Sequence, residues 1–187
     1  MGDSFLCVWK FREEDVELSH EGVFHPRSDV SEVGHMNQLA DMAVISFIKT
    51  IARVKQSSKI ENYRSNRDLQ RKINNFSVNL GVGLHVGWAI EGAIGSHFKI
   101  DASYLSPNVN MASRLEGATK QFGVHMLLSG ALYKLLTPAC QKQMRHIDTV
   151  VVKGSSEPVA LYTCDMDTSR LVPRRGSKDA SLANESS

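Results

Sequence analysis

Asn110 and Arg114 stand four residues apart in a segment, 107–122, whose apolar residues recur at helical spacing. At 100° per residue, Met111, Ala112, Leu115, Ala118 and Phe122 share one side of such a helix, and the amide and guanidinium stack on the other. Presented together, those two groups can hydrogen-bond a developing oxyanion and neutralise phosphate charge. A solvated polar face accounts for the same spacing, and from spacing alone it is the simpler reading. Other residues offer chemistry singly. His85 lies between Gly83 and Gly87 in an apolar run, where a hydrogen-bonded core histidine is favoured over a general base. Asp3, directly after Gly2, is a carboxylate at the edge of an apolar stretch, although magnesium wants at least two oxygen donors. Lys153 follows Val150-Val151-Val152 and can reach a phosphate from a strand end, or simply be solvated before the turn at Gly154. The glycines of 81–95 could bring backbone amides to a phosphate, but no GxxxxGK[ST] loop is present. Tight strand packing around a hairpin explains them equally well.

The elements that must position these residues follow from periodicity and punctuation. Residues 3–11 read as a buried strand, and 12–36, polar and uneven, as a long loop. Leu39, Met42, Ala43, Ile45, Ile48, Ile51 and Val54 predict an amphipathic helix over 37–56, and Leu69 and Ile73 anchor a more polar one over 61–75. Two strands turning near Gly87 are expected within 78–94, and another over 97–105. Ser106 as N-cap and Pro107 at the first helical position open the 107–122 helix, and Gly123 closes it. A strand at 124–128, a helix at 129–136 and strands near 145–153 and 158–164 complete the order. Few strands alternate with full-length helices, which favours an α+β sandwich over a doubly wound parallel sheet.

Composition narrows the function classes. The chain has 187 residues, 42% of them hydrophobic and 22% charged, enough for one domain with a substantial core and against wholesale disorder. That domain is expected over 1–165, and the serine-rich stretch 166–187 as a disordered polar tail. Within the tail, Leu-Val-Pro-Arg-Arg-Gly-Ser resembles an engineered protease site with one extra arginine. A net charge of +2, from 22 basic and 20 acidic residues, makes no electrostatic case for a nucleic-acid binder. Cys7, Cys140 and Cys164 are widely spaced and odd in number, so they read as reduced, buried thiols of an intracellular protein. No apolar run approaches the ~20 residues of a membrane helix, and no signal-peptide pattern is visible, which points to the cytoplasm for this chain and leaves open a membrane-attached parent protein.

Four segments in order carry a resemblance. Gly-Leu-His-Val-Gly (83–87), Glu-Gly-Ala-Ile-Gly-Ser (91–96), Asn-Val-Asn-Met-Ala-Ser-Arg-Leu-Glu (108–116) and Val-Lys-Gly-Ser-Ser-Glu-Pro-Val-Ala-Leu-Tyr (152–162) resemble the C-terminal two thirds of a class III nucleotidyl cyclase catalytic domain. Met-Gly-Asp-Ser-Phe-Leu-Cys-Val-Trp is similar to the family's strand that opens with glycine and the second metal-binding aspartate. The resemblance implies a ferredoxin-like βαββαβ core working as a head-to-tail homodimer or heterodimer, with active sites at the interface. It implies two divalent cations, Mg2+ or Mn2+, on the triphosphate of ATP, attack of the 3′-hydroxyl on the α-phosphorus, and release of pyrophosphate. On this pattern Asp3 is a metal ligand, Asn110 and Arg114 are the transition-state pair, and Lys153 binds triphosphate. Ser103 falls at the base-selecting position usually filled by aspartate; a hydroxyl there fits one adenylyl branch, whereas guanylyl cyclases usually carry cysteine. Ser106 replaces the usual glycine, with Pro107 following.

The expectation is therefore an N-terminally truncated adenylyl cyclase catalytic domain, lacking the first metal aspartate and the base-selecting lysine. The alternatives are a catalytically incomplete half serving a partner's metals, and a guanylyl cyclase. With one metal aspartate missing, the 187 residues alone should show essentially no cyclase turnover even with manganese. Robust turnover by the purified chain would mean that the metal site has been misplaced.

Overall fold

The computed structural model describes residues 4–18, 24–26, 34–73, 76–96, 99–151 and 157–167. Within them a 3-10 turn (Glu13–Asp15) leads to β1 (Val16–Leu18) and β2 (Phe24–Pro26), then α1 (His35–Gln56), α2 (Ser58–Arg64) and α3 (Arg67–Lys72). β3 (Val82–Leu84), β4 (Ile90–Ser96) and β5 (Lys99–Leu105) precede α4 (Pro107–Phe122). β6 (Met126–Ser129), α5 (Gly130–Leu135), α6 (Pro138–Gln141), β7 (Met144–Val151) and β8 (Pro158–Cys164) follow. The described residues fall into two units, one spanning 1–45 with 81–165 and the other 46–80 with 166–187.

The first unit is built on a four-stranded mixed sheet in the order β3-β6-β8-β7. β3 runs parallel to β6, with Val82 opposite Met126 and Leu84 opposite Leu128. A parallel pair needs a long crossover, and here the β4–β5 hairpin and α4 supply it. β8 is antiparallel to both β6 and β7, and a register shift between His146 and Asp148 kinks β7. Every residue of β6 is buried, as expected of a short apolar strand with a neighbour on each side. Alternation then assigns the two faces. Leu127 and Leu161 join Leu115 of α4 in a buried cluster, with Met111, Ala118, Phe122, Val124, Ile147, Val150 and Val159 packed around it. On the opposite face Tyr162 of β8 stacks on Tyr133 of α5, ring centroids 3.9 Å apart and planes within 4°. Two polar clasps lock the N-terminal part of α1: Asn37 donates to the Leu135 carbonyl at 2.9 Å, and Asp41 accepts from both the amide and the hydroxyl of Thr137, at 3.0 and 2.6 Å. In the second unit, the Asn66 side chain caps α3 by accepting from the amides of Asp68 and Leu69.

Several expectations change. Residues 4–11 belong to no strand among the described residues, and Phe5 is 90% exposed. An apolar run becomes a buried strand only when a neighbouring strand takes up its amides and a layer covers its side chains. For the same reason Cys7 is exposed, whereas Cys140 and Cys164 are partly buried; all three are free thiols. The long polar loop contains the antiparallel pair β1–β2, Val16 opposite Pro26 and Leu18 opposite Phe24. The single helix over 61–75 is two, broken at Ser65–Asn66 where asparagine caps the next turn. The short α6 was not foreseen; it is a Thr137-capped turn that opens with Pro138. Residues 168–187, including most of the expected tail, lie outside the described residues.

α4 lies against β3 with no side chain between them. A Cβ on Gly83 would stand 2.1 Å from the Ala112 carbonyl oxygen and 2.3 Å from the Glu116 amide. Gly117, on the same helix, has nothing within 4 Å of a built Cβ. Gly83→Ala should therefore lower stability by about 1–3 kcal/mol through overpacking. Gly117→Ala should raise it by about 0.8–1 kcal/mol through helix propensity. Urea midpoints read the two shifts, and equal behaviour of the two variants would contradict this helix–strand contact.

Candidate active site

The polar pair of α4 opens onto a cleft of about 450 Å³ in the first unit. Its walls are His85 from the end of β3, Pro107, Asn108, Asn110, Met111 and Arg114 from the first two turns of α4, and Glu157, Pro158 and Val159 at the start of β8. The size lies within the range of small-molecule sites. Local chemistry fixes α4 at this end. Ser106 caps it, its hydroxyl accepting from the Val109 amide at 3.0 Å, and Pro107 occupies the first position without leaving an amide unpaired. Gly123 ends the helix in the left-handed conformation at φ 64°. With Leu115 fully buried on the sheet side, Asn110 and Arg114 are left exposed on the cleft side. A somewhat larger hollow, about 550 Å³, lies in the second unit, lined by Lys49, Thr50, Arg53, Val54, Ser57 and Ile60. It presents two cations and two hydroxyls, with no carboxylate, imidazole or thiol in its lining.

His85 is half-buried and bonded at both ring nitrogens, Nδ1 to the Ser129 hydroxyl at 2.7 Å and Nε2 to the Asn108 amide oxygen at 3.1 Å. Burial pushes its pKa below the ordinary histidine value, against the opposing pull of the Asn108 hydrogen bond. The imidazole is a neutral, satisfied group at the cleft wall, as its place in an apolar run suggested, and not a free base. The described lining offers one carboxylate, Glu157, beside a guanidinium. No group of three or more His, Cys, Asp or Glu gathers among the described residues. The Arg114 guanidinium and the Asn110 amide are donors that can meet phosphoryl oxygens, and the single carboxylate does not by itself hold a cation, which needs several oxygen donors.

Of the residues singled out by sequence, the cleft brings Asn110, Arg114 and His85 together. Ser103 stands apart from that lining, on β5 opposite Gly92 and partly buried. On the neighbouring pair of the hairpin, Tyr104 donates to Glu91 at 3.1 Å, and Lys10 also engages Glu91. Asp3 and Lys153 lie outside the described residues. Sequence reasoning missed Asn108, Ser129 and Glu157. Asn108 had a signal, since a carboxamide two residues past an N-cap faces whatever precedes the helix; Ser129 and Glu157 had none beyond a capping serine and a residue before proline.

A model of the adenylate and guanylate cyclase catalytic domain matches residues 1–165. An adenylate cyclase of Anabaena cylindrica is 30% identical over 113 residues, covering 59% of this chain and 22% of that protein. Adenylate cyclase 1 of Rhizobium meliloti is 33% identical over 82 residues, covering 43% and 12%. The chain thus spans about a fifth or less of the length of these curated relatives. A bacterial light-regulated adenylyl cyclase superposes with a TM-score of 0.50 at 21% identity, over 69% of this chain and 34% of that one, a likeness of fold. No described helix is long and apolar enough to cross a membrane.

The histidine generates a test of its own. Its proton is bound less tightly in the folded chain than in the unfolded one, so just below the ordinary value of about 6.5 the unfolded chain holds more protons. Stability should therefore fall as pH drops from about 7 to 5, and His85→Gln should flatten that slope. Urea midpoints across the range read it; an unchanged slope in the variant would assign the loss to other groups.

Proposed function

Because the chain belongs to the adenylate and guanylate cyclase catalytic domain family, we propose that it acts in converting ATP to 3′,5′-cyclic AMP and pyrophosphate. The observation that carries this reading is the shared cleft: an amide and a guanidinium, one turn apart, beside the capped first turn of α4. In the proposed reaction the ribose 3′-oxygen attacks the α-phosphorus, its proton leaves, and the bond to the bridging oxygen of the pyrophosphate breaks. Arg114 meets the charge that builds on the α-phosphoryl oxygens, and Asn110 orients the attacking ribose. A guanidinium fixed there stabilises the transition state more than bound ATP. Lys153 is assigned to the triphosphate, Ser103 to the adenine amino group, and Asp3 to one of the divalent cations, Mg2+ or Mn2+, that cyclases of this family use.

A second cyclase domain, in a homodimer or heterodimer, is the proposed partner. Trp88, Ile90 and Leu105 support it, standing 45%, 62% and 60% exposed around the base of the β4–β5 hairpin, where Ile90 and Leu105 face each other in register. Large apolar side chains grouped in this way mark association surfaces. The cytoplasm is the proposed compartment, where ATP is the substrate at hand and thiols stay reduced.

In a polypeptide that supplies both metal aspartates, Arg114→Ala should lower kcat by roughly 10²–10³-fold and change KM little, as expected of a contact made chiefly in the transition state. Asn110→Ala should act in the same direction, and the two losses should be non-additive. Mixed with a variant lacking Asp3, the Arg114 variant should regain part of the activity, because one interfacial site then holds a full set. Failure to complement when mixed dimers demonstrably form would sink the shared site.

Base choice is a separate measurement. The Ser103 hydroxyl both donates and accepts, and one neutral hydrogen bond contributes only ~0.5–1.5 kcal/mol. ATP should thus be preferred over GTP by a modest factor, and a preference for GTP would overturn the adenylyl assignment.

A further inference from the structure

The first turn of α4 is tied to the sheet by a side chain that none of these roles requires. Asn108 Nδ2 donates to the Trp88 carbonyl at 2.9 Å, and its Oδ1 lies 3.1 Å from His85 Nε2. Those two contacts set the direction of a longer chain. An amide oxygen only accepts, so Nε2 carries the imidazole proton. In the neutral ring Nδ1 is then the acceptor, and at 2.7 Å it takes the Ser129 hydroxyl proton. Ser129 is fully buried, and its oxygen accepts the Leu132 amide at 3.4 Å as the N-cap of α5. The space beneath the amide is kept by Gly87, where a Cβ would stand 2.2 Å from Asn108 Cγ and 2.4 Å from Nδ2. The loop from His85 to Trp88 is a slot for one carboxamide, with a donor on one wall, an acceptor on the other and a floor without a side chain.

We propose that Asn108, seated in this slot, is a positioning residue that sets the first turn of α4 and so aims Asn110 and Arg114; this rests on the cyclase reading of the cleft. Asn110 is two residues beyond Asn108, and Arg114 follows one turn later on the same exposed side. Aspartate in the slot would place an acceptor against the Trp88 carbonyl, and alanine would leave the His85 Nε2 proton without its partner. A shift of about 1 Å in reacting groups can cost about 10²-fold in rate, so a tether this near the pair controls turnover.

The test measures kcat and KM for ATP in a polypeptide with both metal aspartates, each variant assayed below its own unfolding transition. Asn108→Ala removes the tether. His85→Asn reaches only to the Nδ1 position and keeps the Ser129 contact, whereas His85→Gln places an amide nitrogen near the Nε2 position and keeps the contact to Asn108. Asn108→Ala and His85→Asn should each lower kcat by about 10–100-fold with KM within about threefold. The double variant should be no worse than its poorer parent, and His85→Gln should recover most of the loss. Amide hydrogen exchange supplies a readout independent of turnover: protection should fall at Val109, Asn110 and Met111 in the two damaging variants while β6 keeps its own. Unchanged kcat in folded Asn108→Ala, or equal losses from His85→Gln and His85→Asn, would overturn the proposal. If the exchange pattern holds but the parent polypeptide turns over no ATP, the cyclase reading fails and the tether stands.

Discussion

The backbone-to-backbone contact of α4 with β3 is the constraint from which the cleft follows. At Gly83 the helix comes so close that its Ala112 carbonyl and Glu116 amide occupy the space of a side chain. Leu115 is consequently buried in the Leu127–Leu161 cluster, and the helix has a single allowed rotation. Turning it by one residue would carry either a guanidinium into that cluster or a leucine into water, and burying an unpaired charge costs far more than the contact returns. The exposure of the polar pair and the burial of Leu115 are one geometric fact.

That fact was largely legible in the sequence, because it is local. Ser106, Pro107 and Gly123 mark both ends of α4, and the 3.6-residue period assigns its faces without any tertiary information. The positions of the strands from β3 to β8 were similarly readable, most being short and bounded by glycine, serine or proline. The hairpin expected at Gly87 does not form, because β3 pairs with β6 and β4 with β5. What could not be read depends on neighbours that a linear pattern does not name. The stretch from Ser4 to Phe11 has strand composition, yet pairing is a property of two segments, and none of the described strands takes it. The Asn108 slot is likewise built by three separate pieces of chain, the loop after β3, α4 and β6, with no spacing to announce it.

The two faces of the sheet divide the work between shape and chemistry. The α5 face is closed by ring stacking, Tyr133 on Tyr162 with His146 meeting Tyr162 edge-on at 5.2 Å, and by the Asp41–Thr137 clasp next to it in sequence. The α4 face carries the cleft. Ser129 links them, since its hydroxyl caps α5 and also reaches His85 beneath the cleft. That one hydroxyl thereby belongs to both layers.

The three thiols differ in a way that makes the chain addressable. Burial, with the Asp41 carboxylate adding to it, pushes the Cys140 thiol up to about 12, and burial raises Cys164 as well. The thiolate is the species that alkylates, so both are slow partners for a maleimide at neutral pH. Cys7 is exposed. A fluorophore or spin label offered briefly to the folded protein would settle on that one sulfur, in the apolar stretch that has no described strand beside it, and would report the moment any strand docks there.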